Sequence, residues 1–123
     1  MLLFKKKFLP AIRSGEKTQT IRLWPFRRMK PGQRSYIPGA GYIRISAVDA
    51  IDLSELCDED AKPDGFATAA ALHAELKSLY TAQLAAGQQA YRIRFELLSP
   101  AEQSDAAAAR RARRTKPIPP GPA

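Results

Sequence analysis

The segment Tyr91-Arg92-Ile93-Arg94-Phe95-Glu96-Leu97 constrains this chain more than any other. Tyr91, Ile93, Phe95 and Leu97 alternate with charged residues without a break, the period of a strand with one face on a core and the other toward water. Such a strand needs a sheet to join and an apolar layer to cover it. A second extended run goes from Tyr42 to about Val48, with Ile43, Ile45 and Ala47 expected inward.

Helices fit between and ahead of these runs. Ser54 is placed to cap a short helix through Ala61, and Thr68 a longer one through Tyr80, whose Leu72, Leu76, Leu79 and Tyr80 form an apolar stripe. Phe8 to Ser14 reads as a helix with Pro10 in its first turn and Gly15 as its stop. Lys30-Pro31-Gly32-Gln33 and Pro38-Gly39-Ala40-Gly41 have turn chemistry. The order predicts an α+β domain whose sheet curls into a small mixed barrel with two to three flanking helices.

At 123 residues the chain fits one domain, expected over residues 1–100. Beyond Pro100 the sequence has Ile118 as its one large apolar residue and ends in a Pro/Gly cluster. Residues 101–123 therefore read as a disordered basic Ala/Arg/Pro-rich tail, with a transient helix in 106–114. The lone Cys57 excludes an internal disulfide and fits a reducing, cytoplasmic setting. No apolar run approaches the roughly 18 residues of a membrane span, so no membrane association is expected. Nothing in the pattern selects between monomer and dimer.

The net charge of +8 is unevenly placed. Residues 1–34 carry ten Lys/Arg against Glu16 alone, while residues 35–100 carry five basic and nine acidic groups. A concentrated basic segment on a small domain suits a polyanion such as RNA more than it suits solubility alone, which composition by itself does not exclude.

Conventional catalytic patterns are sparse. One His (His73) and one Cys supply no zinc set and no nucleophile–histidine pair. Asp58-Glu59-Asp60 are consecutive, so on a short helix they diverge, and no phosphate-binding glycine pattern is present. No metal or cofactor is expected.

The unusual stretch is Ser14-Gly15-Glu16-Lys17-Thr18-Gln19-Thr20-Ile21-Arg22-Leu23-Trp24. On a strand, Gln19, Ile21 and Leu23 share one face while Thr18, Thr20, Arg22 and Trp24 share the other, which is polar, cationic and aromatic together. Gly15-x-Lys17-x-x-Thr20-x-Arg22 resembles the GxKxxTxR signature of the ASCH domain family. The helix bearing Phe8 and Ile12, the Lys30-Pro31-Gly32 turn, the Asp64-Gly65-Phe66 loop before a helix, and the Tyr91–Phe95 strand follow in the family's order, so the resemblance spans residues 3–98.

That resemblance implies a PUA-like β-barrel with a ligand cleft beside it, and RNA or a nucleoside-like molecule as ligand. Some small members of the family hydrolyse the acetyl amide of N4-acetylcytidine with a lysine, a threonine and an acidic residue. By the same resemblance these are Lys17 as base, Thr20 as nucleophile and Asp64 as acid or orienting group, Asp64 standing where the amidohydrolases have a glutamate. Arg13, Thr18, Arg22 and Trp24 complete the expected binding set, Arg22 as a bidentate clamp and Trp24 as a stacking platform or a barrel cap. The residues themselves allow other readings: Lys17 tied structurally to Asp64, or a metal-independent ribonuclease using lysine-assisted chemistry.

Overall fold

The computed structural model describes residues 1–115. Its four strands are β1 (Gln19–Trp24), β2 (Arg34–Ile37), β3 (Gly41–Ile51) and β4 (Gln89–Leu97). They form one antiparallel sheet in the order β1-β4-β3-β2, curled into a half-barrel. The helices are α1 (Leu9–Ser14), α2 (Asp58–Ala61), α3 (Ala69–Leu79), α4 (Thr81–Ala85) and α5 (Pro100–Thr115), so five helices accompany the sheet where two to three were expected. None is long and apolar enough to cross a membrane.

The central strand β4 has both neighbours, and its alternation is used in full. Tyr91, Ile93 and Phe95 join Ile12, Ile37, Ile43, Ile45 and Val48 in a core against the concave face. A second core lies on the opposite face, where Ile21, Leu23 and Ala90 meet Ala61, Leu72 and Leu76 from α2 and α3. Burial of both faces is why β1 reads less cleanly in sequence than β4.

One correction concerns β3. Its register against β4 shifts between Ile45 and Ala47, so the extra residue Ser46 reverses the alternation and Val48, not Ala47, follows Ile45 into the core. A bulge also bends its strand, which favours the curl.

Local signals hold at α1 and α3. Pro10 lies in the first turn of α1, and Gly15 (φ 83°) ends it in the left-handed region that glycine tolerates. The Thr68 side chain accepts from Ala71 N–H at 3.1 Å and caps α3. The Ser54-capped helix, in contrast, is absent. The Asp52 carboxylate accepts from the Ser54 N–H at 2.9 Å and starts a single 3-10 turn, Leu53–Glu55, and α2 begins afresh at Asp58. The Ser54 hydroxyl also donates to Asp52 Oδ1, at 2.7 Å, so the aspartate two residues ahead engages the side chain expected to cap.

The tail reading is corrected for residues 101–115, which with Pro100 form α5. Helix α5 docks on the start of β3, where Gln103 Oε1 accepts from Tyr42 N–H at 2.8 Å and Gln103 Nε2 donates to Tyr42 C=O at 2.7 Å. Gly41 (φ 119°) permits this approach, since a Cβ there would come within 2.9 Å of the Gln103 oxygen. Ala106 is buried beneath the helix. Residues 116–123 of the expected tail lie outside the described residues.

The N-terminal segment forms a strap ahead of α1. Leu2 N–H donates to Tyr36 C=O on β2 at 2.9 Å, and Arg22 Nη2 on β1 donates to Leu3 C=O at 2.6 Å. Further along, Lys5 and Lys7 both pair with Glu75 on α3, at 3.0 and 3.3 Å. The strap thus spans from one edge strand to the other.

Candidate functional site

Strand β1 is an edge strand, and a cavity of about 330 Å³ opens against it. The strap closes one side with Leu3, Phe4 and Phe8, and α3 closes the other with Leu72, Leu76 and Leu79. Phe95 N–H donates to Thr18 C=O, which makes Gln19 and Arg94 a non-hydrogen-bonded pair in the register. By alternation the Ile21 N–H and C=O then point away from β4, toward the cavity side.

At its floor lies a buried ion pair. Lys17 Nζ donates to Asp64 Oδ1 at 2.7 Å and to the Asp64 backbone carbonyl. Gln19 Nε2 donates to Asp64 Oδ2 at 3.3 Å and to Asp60 C=O at 3.0 Å. Thr18 N–H adds a bond to Pro63 C=O, so the chain entering β1 is stitched to residues 60–64. Both partners of the ion pair are almost wholly removed from solvent, at 2% and 4% side-chain exposure.

The ammonium is surrounded by rings: Phe8, Phe4 and Phe66 centroids lie 4.9, 5.7 and 5.8 Å from Nζ. Burial pushes the Lys17 pKa below the ordinary lysine value; Asp64 opposes that shift and Arg22 adds to it. An ammonium has three N–H donors, and the two bonds to Asp64 leave one.

Arg22 forms the adjoining wall. Its guanidinium carbon stands 4.8 Å from the Phe4 ring, and its Nε donates to Thr20 Oγ1 at 3.2 Å. Burial lowers its pKa, with Tyr80 and Asp64 opposing, but an arginine stays charged. The hydrogen bonds at Thr20 Oγ1 and at Lys17 Nζ do not join the two side chains.

Lys17, Thr20, Arg22 and Asp64 are therefore brought together in one cavity. Arg13, Thr18 and Trp24 are not. Arg13 is exposed and donates to Gly39 C=O at 2.7 Å, holding α1 to the turn before β3. Thr18 precedes β1 and faces a different hollow, beside Asp60 and Arg94. The Trp24 ring packs on Tyr91 at 5.6 Å and against the main core, because it shares that strand face and extends past the cavity.

Phe4, Phe66, Glu75 and Tyr80 also line the cavity, and sequence reasoning gave them no site role. Phe66 had a local signal in its position two residues after Asp64, whereas Phe4 is delivered by the strap, which no spacing announces. The acidic run is structural. Asp58 accepts from Ala69 N–H, Glu59 pairs with Lys62, and Asp60 accepts from Cys57 N–H and meets Arg92.

No protein-family model matches the chain, and no curated protein matches it. Solved structures resemble it, among them the following two. The hypothetical protein PH0355 is 16% identical with a TM-score of 0.66, covering 78% of this chain and 95% of its own. The protein EF3133 from Enterococcus faecalis V583, of family DUF984, is 20% identical with a TM-score of 0.58, covering 75% of this chain and 70% of its own. At such identities the chain shares with both a fold.

Proposed function

We propose that this chain is an ASCH-type, PUA-like domain that binds a nucleoside-like heterocycle, free or within RNA, in the cavity at the edge of β1. The observation that carries the reading is the caged Lys17. A buried cation with one N–H donor left over sits among three phenylalanine rings, in a cavity that also offers Arg22 and the backbone of Ile21. A planar base has ring faces for such walls and carbonyl oxygens and ring nitrogens for such donors. The walls are mostly apolar, and Lys5 and Lys7 are paired with Glu75. This favours a neutral nucleoside over a phosphate chain as the occupant.

The lowered Lys17 pKa supports a second reading, hydrolysis of an N4-acetylated cytidine. A neutral Lys17 amine would take the Thr20 hydroxyl proton as Oγ1 bonds to the acetyl carbon. The C–N bond then breaks, the proton passes to the departing N4, and water releases acetate from Thr20. Asp64 would hold the lysine in place. This route requires Thr20 to exchange its Arg22 hydrogen bond for one to Lys17.

Calorimetric titration with cytidine and N4-acetylcytidine tests both readings. Saturable binding that changes little with salt is expected, weakened about tenfold in Phe66→Ala, which removes one ring. Absence of binding at millimolar nucleoside would overturn the nucleoside reading. Cytidine release that disappears in Thr20→Val would establish hydrolysis, and its absence from the native protein would leave binding alone.

A further inference from the structure

A second cavity, about 490 Å³, lies at the opposite edge of the sheet, where β2 and the start of β3 meet α5. It shares no lining residue with the cavity at β1. Arg34, Arg110 and Arg113 line it, and among the described residues no carboxylate does. Several other cations are matched: Lys17 with Asp64, Lys5 and Lys7 with Glu75, Arg44 with Glu96 and Glu102, Arg92 with Asp60. Among the described residues no ion pair is formed by the three arginines of this cavity. Like charges gathered round one hollow raise the local potential and attract anions.

The same wall is aromatic. Tyr36 and Tyr42 are in contact, with centroids 4.9 Å apart and planes inclined at 48°. The Arg110 guanidinium lies 4.7 Å from the Tyr36 ring, so a cation is held over an aromatic face. Ser35, 7% exposed, adds a buried hydroxyl with no hydrogen-bond partner, an unusual state for such a group.

Arginines alone would suit any phosphate. Arginines interleaved with tyrosines suit a ligand whose phosphates alternate with planar bases. We propose that this cavity is a binding site for a single-stranded nucleic acid segment. Arg34 and Arg113 take its phosphates, and a base stacks on the assembly of Tyr42, Tyr36 and Arg110.

Fluorescence anisotropy with a labelled oligouridylate tests this, with an oligothymidylate of equal length to tell ribose from deoxyribose. Two phosphate contacts predict a slope of log affinity against log salt of about −1.4, at about 0.7 per contact on single strands. Arg34→Gln, a change on an exposed strand position, should reduce the slope by about 0.7. Tyr42→Leu should weaken binding about fivefold or more at an unchanged slope, and Tyr42→Phe should retain affinity. Circular dichroism melts confirm that each variant is folded. The proposal is overturned if no binding is seen at about 50 mM salt. It is equally overturned if inorganic polyphosphate of equal charge competes as well as the oligonucleotide while Tyr42→Leu binds like the native protein.

Discussion

Replacing Asp64 by leucine should destabilise the fold by about 3–5 kcal/mol, because it strands the almost wholly buried Lys17 ammonium without its counter-charge. Gln19 would lose a partner in the same step. The double variant Lys17→Met/Asp64→Leu removes both charges and fills the space with apolar groups. It should recover most of the loss or exceed the native stability, since buried pairs are commonly matched by packed hydrophobes. Urea unfolding followed by circular dichroism gives all three values. A single variant as stable as the native chain would mean that the pair is hydrated.

The pH dependence follows from the same burial. Lys17 has a lower pKa folded than unfolded, so the unfolded state binds the proton more tightly. Its penalty on folding is present in full below the folded value and is relieved as pH rises toward the unfolded value of about 10.5. The native chain should accordingly gain stability relative to the double variant as pH is raised through that window.

Ending the chain at Ser99 should cost about 2–4 kcal/mol, the sum expected for two hydrogen bonds, a cation–ring contact and an exposed ion pair. Gln103 would no longer satisfy the Tyr42 backbone, Arg110 would leave Tyr36, and Arg44 would lose Glu102. The same truncation removes one wall of the second cavity, so oligonucleotide affinity should fall with it. A thermal melt unchanged by the truncation would show that α5 contributes nothing to the fold.

That helix also marks where sequence reasoning stops. Its composition is Ala, Arg and acid, with no large apolar stripe to announce a buried face. What docks it is a glutamine that reaches a backbone sixty-one residues away, and one small alanine that slides beneath. Neither signal is periodic. The strand Tyr91–Leu97, in contrast, was legible throughout because a central strand with one apolar face writes its geometry into every second residue. β3 was legible only to Ile45, since a one-residue bulge leaves no mark in composition yet inverts every side chain after it.

The candidate site divides the same way. Lys17, Thr20, Arg22 and Asp64 line one cavity. Arg13 and Trp24 do not join them, because strand order decides which part of a face is open, and order is set by pairing across the whole chain. Placing β1 at the edge leaves its middle to line the cavity and lets Trp24 close over the core beside Tyr91.

The strap has a mechanical consequence. Met1 lines the second cavity and Leu3 the first, so two residues of backbone, at most about 7 Å, form a partition common to both. A ligand that displaces this partition from one side does work on the other side, and thermodynamic reciprocity requires the effect to be equal in both directions.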